Sequence, residues 1–201
     1  KKIIKFNKGM IISTGMSVID EISRTYDLVS NKVPLVLMNC ISEYPVNYED
    51  MNLNVISKMI KIYPNAIIGH SDHSSELFTS FSAITLGAKV IEKHVILDKN
   101  MKGPDQEVSI DFKQLSELVK TGKQISKTLG DVKKIHPKEK QIRAWAYRSI
   151  VSIKDIPKGK IIDQNDIWCK RPGTGIPSYE MENIIGKKTK NIVKNNSLLM
   201  W

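Results

Sequence analysis

Two triplets carry the clearest chemistry in this sequence. Ser71-Asp72-His73 and Glu92-Lys93-His94 each stand at or just past the end of a short β-type run. Residues two apart on a strand point the same way, so Ser71 shares a direction with His73, and Glu92 with His94. The histidines are 94 − 73 = 21 residues apart. That is one strand–helix unit, which makes their strands neighbours. Two imidazoles at adjoining strand ends can converge on one metal, completed by water and substrate oxygens. On spacing alone a second reading stands beside the metal, that of ordinary polar residues satisfied at strand ends.

The elements that must position these triplets follow from periodicity. Up to about Leu129, short apolar runs alternate with helical patterns. Strands are expected at Met10–Thr14, Val33–Cys40, Ala66–Ser71 and Lys89–Ile96. Helices are expected from Ser17, as cap, to Leu28, then over Glu49–Tyr63, Ser74–Leu86 and Asp111–Leu129. Leu53, Ile56, Ile60 and Tyr63 share one face of the second helix, and Pro64 ends it. Leu77, Phe78 and Phe81, and later Phe112, Leu115, Leu118 and Leu129, are expected to face inward.

Repeated strand–helix units imply a parallel sheet covered by helices, an α/β fold. Four units make about half of a (β/α)8 barrel, which takes roughly 250 residues. Residues 1–130 are therefore read as the second half of a TIM barrel, its last four βα units, with a small open α/β sheet as the alternative. Barrel active sites are built at the C-terminal strand ends, where both triplets lie. The first half of such a barrel is absent from this sequence. The chain opens on Lys1-Lys2 without a Met, so it is expected to be an internal piece of a longer product. A half barrel alone would expose strand edges and apolar surface, and is expected to be inactive.

The character changes after Gly130. Lys133, Lys134, Pro137, Lys138 and Lys140 mark residues 131–142 as a linker. Residues 143–201 hold short runs at Ser149–Ile153, Lys160–Ile162, Ile167–Lys170 and Thr189–Val193, the turn-rich segment Arg171–Pro177, and a short helix near Glu180–Ile185. This reads as a small domain of short strands and turns.

Composition narrows the class. Apolar residues make up 41% and charged residues 26%, as in ordinary globular proteins. No run approaches the roughly 20 apolar residues of a membrane helix, and no secretory signal pattern is present. The net charge is +10, but the lysines are spread along the chain and arginine is scarce, which argues against nucleic acid as partner. Cys40 and Cys169 follow no metal-ligand spacing and are expected to be reduced thiols of a cytoplasmic protein.

The run Asn65–Leu97 resembles the sialic acid (N-acetylneuraminate) synthase family. So do Ser13–Met16 (STGM), Asn39–Pro45 (NCISEYP), Gly103–Asp105 (GPD) and Lys170–Ile176 (KRPGTGI), in family-like order over essentially the whole chain. The resemblance implies a TIM barrel that condenses phosphoenolpyruvate with an N-acylmannosamine, releasing phosphate. It implies a divalent metal, manganese first with magnesium or cobalt as alternatives, held by His73 and His94. Glu92 matches an acidic residue that transfers a proton or orients water. Ser13 and Ser71 match contacts to phosphoenolpyruvate, as does Ser42, where relatives often carry Asn. Tyr44, Asp105 and Arg171 match sugar contacts. The last domain resembles the antifreeze-like (type III) domain, which implies a domain-swapped homodimer. N-acetylneuraminate is the first product expected, and legionaminic or pseudaminic acid the alternative. A non-catalytic carbohydrate-binding relative is the reading from another class. His70 departs from the family pattern, where an aromatic or aliphatic residue is usual, and is read as supporting the site or exposed.

Overall fold

Four of the apolar runs pair into one sheet in a computed structural model, which describes residues 2–200. They are β1 (Met10–Ser13), β2 (Leu35–Cys40), β3 (Ile67–Asp72) and β4 (Val90–Lys93), all parallel and in the order β1-β2-β3-β4. The order decides the architecture. A doubly wound sheet reverses its strand order to place helices on both faces. A sheet that runs without reversal through right-handed crossovers carries its helices on one face. That is the wall of a (β/α)8 barrel, and the expected half barrel is what the first unit, Lys1–Asp131, contains.

The helix-facing side of the sheet is the core. Leu35, Leu37 and Ile68 are buried beneath α1 (Ile19–Val29), α2 (Asn54–Ile62) and α3 (Phe78–Thr85). Ile22 and Val29 of α1, Ile56 and Met59 of α2, Tyr63 beyond it, and Ala83 of α3 fill the layer. Each large side chain buried this way contributes roughly 1.5–3 kcal/mol. The Tyr63 hydroxyl donates to the Ile19 carbonyl at 3.1 Å and so ties α2 to α1. By strand alternation the opposite, concave face receives Ile11 and Ser13, Met38 and Cys40, Ile67, Gly69 and Ser71, and Glu92. Ile11 and Ile67 on that face are 64% and 50% exposed. The outer edge of β1 has no strand partner among the described residues. Exposed apolar surface and an open edge are what half a barrel wall implies.

Helix starts and faces depart from expectation in instructive ways. Ser17 does not cap α1. Its hydroxyl turns back to the Gly15 carbonyl, and Glu21 accepts the Val18 N–H at 3.1 Å instead. The second helix is split, with a 3-10 turn at Tyr48–Asp50 before α2. The third begins at Phe78 rather than Ser74, because the Ser74 N–H and hydroxyl serve a turn around Asp72. Phe78 is 52% exposed against Tyr48, their ring centroids 5.2 Å apart. Asp111 caps α4 (Phe112–Thr128) as expected, accepting the Gln114 N–H at 2.7 Å. On that helix Leu118 is buried, whereas Phe112 and Leu129 lie outside its packed face and are exposed. No helix among the described residues is long and apolar enough to cross a membrane.

The second unit, Val132–Trp201, contains more helix than expected. The run read as a linker, residues 131–142, holds most of α5 (Pro137–Ala146). Pro137 stands at its start, and the Glu139 carboxylate accepts the His136 N–H at 2.7 Å. These start signals outweigh the lysine-rich composition. Beyond it, β5 (Ser149–Ser152) pairs antiparallel with β6 (Ile167–Lys170). The expected runs at Lys160–Ile162 and Thr189–Val193 make only single bridges, Ile161 with Lys188 and Ile156 with Val193. Ile150, Ile156, Ile162, Ile167, Ile176, Leu199 and Ile184 of α6 (Met181–Ile184) form the core.

Asp166 organises the turns of this unit. Its buried carboxylate accepts from the Asp163 N–H at 2.9 Å and from Lys154 at 2.8 Å, and also pairs with Lys160. Burial works to raise its pKa. The Asp163 N–H, Lys154 and Lys160 outweigh that and hold the carboxyl well below the usual range. A depressed carboxyl contributes stability above its unfolded value of about 3.9 and loses it as pH falls through the folded value. Asp166→Ala is therefore expected to cost the unit roughly 1–3 kcal/mol at neutral pH. It should also flatten the loss of stability below about pH 4. Denaturant unfolding followed at Trp168, which is exposed on β6, measures both. An unchanged midpoint and pH profile would contradict this assignment.

Candidate active site

The concave face gathers most of the chemistry-bearing residues at the C-terminal ends of β3 and β4. Register pairs Ser71 with Glu92, and the Ser71 hydroxyl donates to Glu92 Oε1 at 2.7 Å. His73 follows β3 directly, buried, with its Nε2 3.3 Å from Ser71 Oγ. Its Nδ1 lies 2.7 Å from the Ile41 carbonyl. A carbonyl oxygen only accepts, so Nδ1 carries a proton, and in the neutral ring Nε2 keeps its lone pair. His94 stands just past β4, and the two imidazole centroids are 5.4 Å apart. Tyr44 stacks on His73 at 4.1 Å and meets His94 edge-on at 5.6 Å. Partial burial, then the Cys40 thiol, Asp105 and Glu92, push the Tyr44 phenol above its ordinary value, so it remains a donor at neutral pH.

Asp105 Oδ2 lies 3.6 Å from His94 Nδ1, too long for a hydrogen bond but near enough for its charge to bear on the ring. Ser13 ends β1 and is exposed on the concave face. Ser42 sits against Gly15, where an added Cβ would come within 2.2 Å of the Ser42 hydroxyl. A side chain at position 15 would therefore require the Ser42 hydroxyl to turn away. Arg171 belongs to the second unit. There its Nε donates to the Ala146 carbonyl at 3.0 Å, and its guanidinium lies 5.3 Å from the Trp145 ring centroid.

His70 is buried rather than exposed, because strand alternation turns it toward the helix layer. Its Nδ1 donates to the Asn39 carbonyl at 3.0 Å, and burial lowers its pKa. Two residues that sequence reasoning passed over share that side. Asp72 and Lys93, the middle members of the two triplets, form a buried pair at 3.2 Å. The signal was available in outline, since charges placed on a buried strand face must find each other.

The groups that could hold a metal are the two imidazoles. Among the described residues no set of three or more His, Cys, Asp or Glu side chains is arranged to bind one. A cation here would take two protein ligands and complete its shell with water or substrate oxygens. The His73 ring fits that role. Its Nδ1–H is anchored on a backbone carbonyl, as metal-ligating histidines commonly are, and Nε2 is left with its lone pair.

Comparison with known proteins places the chain in a family. The NeuB family model matches residues 1–134, and the SAF domain model matches residues 147–201. The N,N'-diacetyllegionaminic acid synthase of Campylobacter jejuni is 35% identical over 99% of this chain and 61% of its own. The human N-acetylneuraminate-9-phosphate synthase is 34% identical over 100% of this chain and 56% of its own. Among solved structures, the spore coat polysaccharide biosynthesis protein of Bacillus subtilis superposes with a TM-score of 0.60 at 28% identity, covering 99% of this chain and 62% of that one. The chain thus spans less than two thirds of the length of these relatives. With two thirds of its residues matched by one family model, and curated relatives above 30% identity along its whole length, the chain belongs to the NeuB family.

Proposed function

We propose that the protein is a nonulosonic (sialic) acid synthase, which joins phosphoenolpyruvate to an N-acylmannosamine and releases phosphate. N-acetylneuraminate is the first product assigned, and legionaminic or pseudaminic acid the alternative. The observation that carries this reading is the Ser71–Glu92 hydrogen bond beside two imidazoles 5.4 Å apart, at the strand ends where barrel enzymes act. In this reading residues 1–130 supply half of the barrel and residues 143–201 the antifreeze-like domain.

His73 and His94 are the residues that would hold a divalent metal, manganese first. Such an ion supplies Lewis-acid polarisation of the sugar's aldehyde oxygen. The chain's own groups account for the rest. Ser13, Ser42 and Ser71 bind the phosphate or carboxylate oxygens of phosphoenolpyruvate. Tyr44 and Asp105 contact the sugar, and Arg171 reaches it from the partner subunit of a domain-swapped homodimer. The enol carbon of phosphoenolpyruvate attacks the aldehyde carbon, forming the new C–C bond. Water then adds to the carbon bearing the phosphate, and phosphate leaves by C–O cleavage. Glu92 orients that water and takes its proton, and the Ser71 hydroxyl holds the carboxylate until phosphoenolpyruvate takes up that donor. Both substrates are small anionic or polar metabolites, and both cysteines are free, which supports a cytoplasmic location.

The test is phosphate release by the full-length protein with phosphoenolpyruvate, manganese and each candidate sugar in turn. Release with one N-acylmannosamine or its relatives identifies the product. Sugar binding without release favours a non-catalytic relative, and neither binding nor release with any hexosamine removes the reading.

A further inference from the structure

We infer that Asp72 and Lys93 are a positioning pair, which acts through the sheet to set the geometry of Ser71, His73, Glu92 and His94. The inference rests on the synthase reading for its kinetic arm and on geometry alone for its spectroscopic arm.

Strand alternation sets the placement of the pair. Asp72 lies between Ser71 and His73, and Lys93 between Glu92 and His94. Asp72 and Lys93 are register partners, directly beside the Ser71–Glu92 pair. They project to the helix side while their neighbours project to the concave side. Both side chains are essentially inaccessible, 0% and 2% exposed. An ion pair so placed is rarely a strong source of stability, because desolvation cancels much of the attraction. What it does supply is a fixed geometry, provided every donor and acceptor is met.

Here the carboxylate is fully engaged. Asp72 Oδ1 accepts the Ser74 N–H at 2.9 Å and faces Lys93 Nζ at 3.2 Å. Oδ2 accepts the Thr79 hydroxyl at 2.7 Å and the Ser80 hydroxyl at 2.5 Å. Lys93 donates in turn to the Ser74 carbonyl at 2.5 Å. The network therefore joins four things: the end of β3, the end of β4, the turn at Ser74 and the first turn of α3. His73 is enclosed in that frame, between Asp72 and Ser74. None of these outer-face contacts reaches the concave side, so the pair acts only by fixing backbone. Partners that hydrogen-bond metal ligands directly commonly cost tenfold or more when removed, and a frame that fixes the backbone of the same residues acts on the same geometry.

The experiment uses the full-length protein and three variants. Thr79→Val removes one hydroxyl at nearly constant shape. Asp72→Asn with Lys93→Met removes both charges together, so that neither is stranded. Lys93→Arg keeps the charge and serves as the rescue. Each is followed by thermal unfolding, by kcat and KM for phosphoenolpyruvate, and by long-range 1H–15N spectra of the His73 and His94 rings. The double variant should lose about tenfold or more in kcat, with a smaller change in KM, and Thr79→Val about threefold. The Nδ1–H signature of His73 should shift toward a mixture of tautomers in both, and Lys93→Arg should restore most of each signal. Wild-type kcat and wild-type ring spectra in Thr79→Val and in the double variant would overturn the inference. Should the double variant not fold, Thr79→Val decides alone on the same two readouts. Should the wild-type protein release no phosphate, the synthase reading fails, and the ring spectra still decide the positioning role.

Discussion

Replacing His73 and His94 together with alanine is expected to abolish tight manganese binding by the full-length protein and to lower product formation by about a thousandfold or more. The two imidazoles are the ring pair on the concave face, 5.4 Å apart, and among the described residues no third His, Cys, Asp or Glu joins them as a metal site. Removing both leaves a cation with no protein ligand of the set. Single substitutions should differ. His73 is buried and anchored on Ile41, so its loss also unseats the Tyr44 ring stacked on it at 4.1 Å. His94 is more exposed and held less firmly, with Asp105 3.6 Å away, so its loss should weaken binding with less effect on Tyr44. Titration with manganese, followed by electron paramagnetic resonance, reads both effects. Unchanged affinity in the double variant would show that the histidines are not the ligands.

The second large effect is expected at Glu92. Glu92→Gln retains an acceptor for the Ser71 hydroxyl, now 2.7 Å from Oε1, and so preserves the local geometry. It removes the negative charge and with it the ability to take a proton. Loss of a general base typically costs about 10²–10⁴ in rate, so kcat should fall within that range while KM for phosphoenolpyruvate stays near wild type. Ser71→Ala makes the informative contrast, because it should raise KM for phosphoenolpyruvate and lower kcat together. A Glu92→Gln enzyme with wild-type kcat would assign Glu92 to scaffolding.

Much of the concave site was legible because strands obey a period of two. Once β3 and β4 are placed, the directions of Ser71, His73, Glu92 and His94 follow without reference to anything else in the molecule. The half barrel was legible for a related reason, since repeated strand–helix units admit few topologies. What escaped notice depends on partners distant in sequence. The Ile41 carbonyl that fixes the His73 tautomer lies 32 positions away, and no side-chain type marks it. The start of α3 falls later than expected because Ser74 and Thr79 look like helix-cap and helix residues, yet the Ser74 N–H and the Thr79 hydroxyl are committed to Asp72. The α5 helix was hidden beneath its lysines, which suggest a solvated tether until the pairing of His136 with Glu139 is weighed.

The pairing of Asp72 with Lys93 also bears on how the sheet finds its alignment. A strand that slips by one residue turns every side chain to the opposite face. Were β4 to slip so against β3, Glu92 or His94 would take the place of Lys93 opposite Asp72 beneath α3. One slip would set two carboxylates together in the dry layer, and the other would strand a buried carboxylate beside an imidazole, while Lys93 turned into the pocket. Each misaligned sheet is penalised at the two residues that alternate with the candidate site groups. The polar cluster thus works as a proofreading mark, discriminating against wrongly zipped strands at the very place where misalignment would scramble the chemistry.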